Sequence, residues 1–289
     1  MSRLPEARDL AMSLPWIEQD HLMREILEKL EKDSQWRLGG IRIRETFQKW
    51  VVLAEKHLDH PPRKVMDFGA GMYHPLANVA RFRVLYGSDG VGVELDPRFL
   101  PKRAAKCLAD TLFEAWLEGD AEARERVQAF DMKALKEGKW QDKPAQGIER
   151  FIDDVRELDE DGFDFVFSQS VMEHVDEFEN VIAALSKRTT SGGVHAHVID
   201  MRDHRSYYRP DATPWSFLCE DDPDGPFCNR LRASEIVEIF KRQGFKVITM
   251  TPQEEKLPDQ LRKKLIRRFS KLSDRDLYTT GMRLVVRKV

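Results

Sequence analysis

The chain has 289 residues, of which 41% are hydrophobic and 34% charged, with a net charge of only −3. That length allows one large α/β domain with attachments, or two small domains, and is enough to bury a full core. The balanced charge gives no overall electrostatic footprint for nucleic acid, and the sequence contains neither a signal-peptide pattern nor an apolar run of the ~18 residues that would span a membrane.

From Trp16 to His57 the pattern is helical, with Leu22, Ile26, Leu27 and Leu30 at three- and four-residue spacing. A break is expected at Gly39-Gly40, after which Ile43, Phe47, Trp50, Val51 and Ala54 resume the pattern. Residues 1–60 thus read as a helical extension, closed by "HPPR" at 60–63 because proline cannot continue a helix. Short apolar runs then alternate with helical stretches. "KVMDF" (64–68), "GVGVEL" (90–95), "FDFVFS" (163–168), "GGVHAHVIDM" (192–201), "FKVITM" (245–250) and "MRLVVRK" (282–288) read as strands, with helices at 75–86, 176–188 and 234–243. Alternation of this kind predicts a mostly parallel sheet covered by helices on both faces, spanning 61–289. Residues 101–150 interrupt it with charged, helix-forming sequence and read as a helical insertion, while 202–232 form a long irregular loop. Cys107, Cys219 and Cys228 include no CxxC pair and predict free thiols in a reducing compartment, hence a soluble cytoplasmic protein.

The stretch "KVMDFGAGMYH" has the outline of a strand entering a glycine turn, which in a doubly wound sheet forms part of the ligand site. Asp67 precedes Gly69 and Gly71, and Glu94 closes the next strand, where an acid can accept both hydroxyls of a ribose. The alternative for the glycines is a tight turn alone, and for Glu94 a solvated strand-end acid. A dinucleotide's pyrophosphate needs a bare helix N-terminus, but here Met72, Tyr73 and His74 fill that space. An adenosine ligand without phosphates, such as S-adenosylmethionine, does not need it.

In order, "VMDFGAG", "GVELDP", "FIDDVREL", "FDFVFSQSVMEHV" and "GGVHAHVIDMRDH" resemble the class I S-adenosylmethionine-dependent methyltransferases over about residues 64–251. "IDMRDH" followed by an aromatic-rich loop and "NRLRASE" is similar to a bacterial subgroup of methyltransferase type 11-like enzymes that often tailor small molecules or glycans. The resemblance implies a seven-stranded, mostly parallel sheet and S-adenosylmethionine as cofactor. It gives Asp67, Gly69 and Gly71 to the methionine end, Glu94 to the ribose and Leu95 to the adenine. It also gives Asp154, with Val155 beside it, to the adenine, and Ser168 and Gln169 to the closure of the pocket. Tyr73 stands where many members have a third glycine, so with His74 it is expected to wall the methionine pocket. Asp153 and Asp154 read equally as part of a solvated acidic run.

Methyl transfer is an in-line displacement, so catalysis is largely positioning plus, for an alcohol, removal of its proton. The candidate bases are His174 in "MEHV" and His204 in "RDH", with Asp203 as its carboxylate neighbour. The alternatives are that His174 shapes the pocket or caps a helix, and that Asp203 and His204 fix the loop. His195 and His197 lie inside a strand and read as packed residues. Tyr207, Tyr208, Trp215 and Phe217 can stack on an acceptor, and Arg205, Arg209, Arg230 and Arg232 can hold an anionic group; equally, the loop can close its own hydrophobic cluster. Asp221, Asp222 and Asp224 read as an acidic turn, and no metal is expected. "LRKKLIRRFSKL" (261–272) reads as a basic helix whose apolar stripe packs on its own domain rather than on lipid or RNA. The function expected is methyl transfer to oxygen of a small molecule or glycan, with no nucleic acid partner and the oligomeric state open. The alternatives are N-methylation, a macromolecular acceptor, or a catalytically inactive cofactor-binding protein.

Overall fold

A computed structural model of the chain describes residues 37–71, 75–96, 101–130, 143 and 145–289. The chain divides into two compact units, Met1–Val166 and Phe167–Val289. Its strands form a seven-stranded sheet of order β3-β2-β1-β4-β5-β7-β6.

In the first unit, helix α1 (Arg37–His57) precedes β1 (Lys64–Phe68), α2 (Ala77–Tyr86) and β2 (Asp89–Glu94). It is followed by α3 (Pro101–Glu118), α4 (Ala121–Gln128) and β3 (Ile148–Ile152). The helix α1 runs through Gly39 and Gly40 without the expected break. Glycine costs about 1 kcal/mol in a helix and does not forbid it, and the following turns are held by burial of Phe47, Trp50, Val51 and Ala54. The Phe47 ring meets Phe82 of α2 edge-on at 4.7 Å. The expected helical pattern at 16–36 lies outside the described residues.

β1, β2 and β3 pair in parallel. Gly92 allows the chain after β1 to pass flush against β2, since a Cβ there would lie 2.4 Å from the Pro75 carbonyl. The interval read as an insertion is helical at 101–118 and 121–128, and α3 docks on α2 through the buried Arg81, which pairs with Glu114 and Glu118. That interval also contains most of the seventh strand, β3, which the apolar pattern did not reveal.

β4 (Phe163–Gln169) leads into the second unit, which continues with α5 (Phe178–Arg188), β5 (Thr189–Asp200), α6 (Ala233–Arg242) and β6 (Phe245–Glu254). Two short helices, α7 (Asp259–Arg262) and α8 (Asp274–Tyr278), precede β7 (Thr279–Lys288). β7 runs antiparallel to both β5 and β6. His195 and His197 are fully buried on β5, as expected of packed residues. Burial holds His195 well below the usual imidazole range and pushes His197 down to about 3, so both are neutral. The Thr189 hydroxyl donates to the Leu185 carbonyl, so at 2.7 Å it accepts from His195 Nε2.

The segment 261–272 is not one helix: α7 ends at Arg262 and turns follow. Its apolar side is nevertheless covered within its own unit. Leu261, Leu265, Ile266, Phe269 and Leu272 pack with Trp215, Phe217, Leu218, Leu257 and Leu277. No helix among the described residues is long and apolar enough to cross a membrane.

Candidate functional site

Strand register builds the first half of the site. Phe68 pairs with Val93, which sets the turn at Gly69–Gly71 beside the end of β2. The Gly69 and Ala70 amides both donate to the Val93 carbonyl, at 2.9 and 3.0 Å. The Gly71 amide donates to Glu94 Oε2 at 2.8 Å, and the Asp96 amide to Oε1 at 3.0 Å. Glu94 therefore ties the glycine turn to its own strand while keeping a second lone pair on each oxygen. Gly71 has a left-handed φ of 80°, and a Cβ built on it would meet nothing within 4 Å among the described residues. Leu95, next to Glu94, is 68% exposed. Tyr73 and His74 lie outside the described residues.

Asp67 is buried at the end of β1, where Asn78 Nδ2 donates to Oδ2 at 3.2 Å. Burial pushes its carboxyl up to about 7; the Asn78 bond opposes this, and the nearby Glu94 adds to it. Folding thus favours the protonated acid. In the wild type this contribution is fully present below about pH 3.8 and is lost as pH rises toward 7. Asp67→Asn removes that dependence. Its stability relative to the wild type is expected to grow from nothing near pH 4 to on the order of 4 kcal/mol above pH 7. Urea midpoints measured from pH 4.5 to 8 check this, and a difference independent of pH contradicts it.

Glu94 pairs with Ile152, so Asp153, Asp154 and Val155 emerge at the same end of β2 and β3. Asp154 caps the 3-10 turn Val155–Glu157, accepting from the Arg156 amide at 2.9 Å and from its guanidinium at 3.0 and 2.6 Å. These bonds hold its carboxyl below the usual range. Val155 is buried. The structure thus brings Asp67, Gly69, Gly71, Glu94, Leu95, Asp154 and Val155 to the carboxyl ends of three adjacent strands in one unit.

In the second unit, Ser168 is buried with its hydroxyl 2.8 Å from His197 Nδ1, whereas Gln169 is exposed. The 3-10 turn Met172–His174 follows β4, and a second one, His204–Tyr207, follows β5. The two histidine rings meet edge-on at 4.7 Å. His174 Nδ1 lies 2.7 Å from the Phe227 carbonyl, which can only accept, so Nδ1 carries the proton and Nε2 is the basic nitrogen. Burial, then the His174 ring, hold His204 below its usual range, while Asp200 and Asp203 pull it upward.

Asp203 is buried and spent on the loop. It accepts from the Arg205 amide at 3.0 Å and from the Arg205 guanidinium at 3.1 and 2.7 Å. Arg205 also bonds Glu220 and Asp224. The "NRLRASE" arginines are likewise consumed by the fold. Asn229 donates to the carbonyls of Met172 and Val175, at 2.8 and 3.0 Å. Arg230 donates to the carbonyls of Phe217, Glu220 and Asp221. Arg232, fully buried, donates to those of Asp276, Met201 and Thr279. Of the loop's aromatic residues, Trp215 and Phe217 belong to its hydrophobic cluster, while Tyr207 and Tyr208 are exposed. One residue that the sequence reading did not single out is Glu173. It is buried among these groups, and burial pushes its carboxyl up to about 8.

The model of a family described as a methyltransferase domain matches residues 40–250. No curated protein matches the chain. Similar solved structures include the putative methyltransferase complexed with the Haloferax volcanii Trm112 methyltransferase activator, at 13% identity over 85% of this chain and 93% of that one (TM-score 0.43). A putative sarcosine dimethylglycine methyltransferase from Galdieria sulphuraria shares 16% identity over 86% of each chain (TM-score 0.46). The geranyl diphosphate C-methyltransferase of Streptomyces coelicolor, solved with Mg2+, geranyl diphosphate and S-adenosyl-L-homocysteine, shares 13% over 84% of this chain and 77% of that one (TM-score 0.46). At such identities the likeness is one of fold. The family match covers well over half of the sequence: the chain belongs to the methyltransferase-domain family and is a class I S-adenosylmethionine-dependent methyltransferase.

Proposed function

We propose that this enzyme methylates an oxygen of a small molecule or glycan, with Glu94 holding the ribose hydroxyls of its cofactor. The observation that carries the cofactor reading is the Glu94 carboxylate, fixed by two backbone amides beside the glycine turn. Its remaining lone pairs are positioned to accept two hydroxyl protons. Leu95 offers an exposed apolar face to the adenine, with Asp154 and Val155 at the next strand end. Asp67, Gly69, Gly71 and Tyr73 take the methionine end, and Ser168 and Gln169, at the end of β4, close the pocket. When bound, S-adenosylmethionine supplies an electrophilic methyl group on a sulfonium.

The oxygen acceptor is supported by the histidine pair, because an alcohol must give up a proton to a base and a thioether has none to lose. His174 donates from Nδ1 to the Phe227 carbonyl, which leaves Nε2 as its proton-accepting nitrogen, and the His204 ring, held below its usual pKa by burial, stands against it. Asp203 is a positioning residue, fixing the turn that carries His204 through its bonds to Arg205. The exposed ring of Tyr207 against His204, and that of Tyr208 next in the chain, suit the flat face of a sugar or aromatic alcohol.

Calorimetric titration with S-adenosylmethionine and S-adenosylhomocysteine tests the first part, and absence of binding by the wild-type protein would sink it. For the second part, His204→Ala is expected to lower turnover while leaving cofactor affinity unchanged, and His174→Ala to disturb both. Unchanged turnover in both variants would mean that positioning alone carries the reaction.

A further inference from the structure

Glu173 has no part in the cofactor contacts or the proton transfer. It is only 4% exposed, and among the described residues no side chain hydrogen-bonds either carboxylate oxygen; the donors that face it are the backbone amides of Glu173 itself and Asp200. A buried carboxylate in that position is stable only if it keeps a proton or faces a cation. The arginines that line the same cleft are committed elsewhere. Arg232 and Arg230 hold backbone carbonyls, and Arg202 holds Glu255 through Nη2, its Nε meeting no partner among the described residues.

What does face Glu173 is a set of ligand-type atoms. A carboxylate oxygen of Glu173, one of Asp200 and a ring nitrogen of His204 all lie within 4.8 Å of one another. His204 Nε2 is also buried without a hydrogen-bond partner, 3.7 Å from Asp200 Oδ2. Ligand atoms about 2.1 Å from one ion stand roughly 3 to 4 Å apart, so small side-chain rotations close the set. Asp200 is oriented by outer hydrogen bonds of the kind that fix metal-ligating carboxylates, from the Arg202 amide at 3.1 Å and the Tyr207 hydroxyl. Beside Glu173 and Asp200 is a cavity of about 10 Å³, space for one ion or water, whose lining does not include His204.

We infer that Glu173, Asp200 and His204 form a binding site for one divalent transition cation of the Mn2+ or Zn2+ class. Two carboxylates and an imidazole select such an ion over Ca2+ or Mg2+, which favour all-oxygen ligand sets. An overlapping group, His174, His204 and Cys228, shares the same histidine. It is the more open set, with His174 exposed, whereas the first set includes the buried Glu173. The site uses one member of the histidine pair described above, and with an ion on His204 the Nε2 of His174 remains as the base.

The test needs neither cofactor nor acceptor, so its outcome is separable from that of the methyl-transfer reading. The metal-stripped full chain is titrated calorimetrically with MnCl2 and with ZnSO4. One ion per chain is expected, with affinity reduced about 100-fold or more in Glu173→Gln and unchanged in Cys228→Ser. Glu173→Gln keeps the shape of the side chain and removes its charge, so the variant folds. Its thermal midpoint should not respond to Mn2+, whereas that of the wild type should rise by several degrees at an ion concentration about 100 times Kd. Absence of saturable binding, equal affinity in Glu173→Gln, or loss in Cys228→Ser with retention in Glu173→Gln would each overturn the site. Failure of binding with methyl transfer intact removes the ion and leaves the proposed function standing.

Discussion

Glu94→Ala is expected to weaken S-adenosylmethionine binding by one to two orders of magnitude. The estimate follows from hydrogen bonds to a charged group, worth about 1.5 to 3 kcal/mol, at roughly 1.4 kcal/mol per factor of ten. The geometry adds a second loss, since the same carboxylate holds the Gly71 amide at 2.8 Å. Without it the turn must be ordered when the ligand arrives, and that entropy is charged to binding. Glu94→Gln separates the two contributions. Its carbonyl oxygen can still accept from Gly71, but the charge and one acceptor oxygen are gone, so its affinity should fall between those of the wild type and Glu94→Ala. Calorimetric titration of all three proteins reads this directly, and equal affinity in Glu94→Ala would remove the residue from the site.

Arg232→Met should cost about 3 to 5 kcal/mol of folding stability, the range for removing one partner from a buried charged network. Methionine fills much of the volume, so the loss measures polar contacts rather than a cavity. Arg232 is fully buried, and its guanidinium reaches the carbonyls of Met201, Asp276 and Thr279, the last two flanking the start of β7. Burial pushes its own pKa down to about 10, which still leaves it charged at neutral pH. Truncation leaves three acceptors in the interior without a donor. Urea denaturation compares the variant with the wild type; a change below about 1 kcal/mol would mean that water replaces the guanidinium.

The sequence carried the glycine turn and Glu94 because their pattern is local: a strand, a bend, and an acid one strand later. β1, β2 and β4 were equally legible as apolar runs, to within a residue at each end, while β5, β6 and β7 were legible with one end three or four residues short. β3 was not. It is an edge strand of five residues that includes Glu149 and Arg150, so it has one neighbour and no apolar run to announce it. The break expected at Gly39-Gly40 failed because helix packing several residues later outweighs a modest propensity. The long basic helix at 261–272 failed for the opposite reason: its leucines and Phe269 meet a cluster whose shape a straight helix does not follow. The "NRLRASE" arginines have the chemistry of anion binding, and only tertiary structure shows that backbone carbonyls use it up. Glu173 had no local signal, since its turn is pinned by Asn229 from more than fifty residues away.

The loop after β5 is fastened at both ends, by the buried Asp203–Arg205 pair at one and by Arg232 at the other, with Trp215, Phe217 and Leu218 sunk in the core between them. What remains are two outward spans, 208–213 and 221–227, that the sheet does not depend on. Such spans can drift by mutation, or be exchanged between relatives as cassettes, while the anchors stay constant. The groups these spans present could then be changed by rewriting about a dozen surface residues without touching the Asp203–Arg205 pair or Arg232.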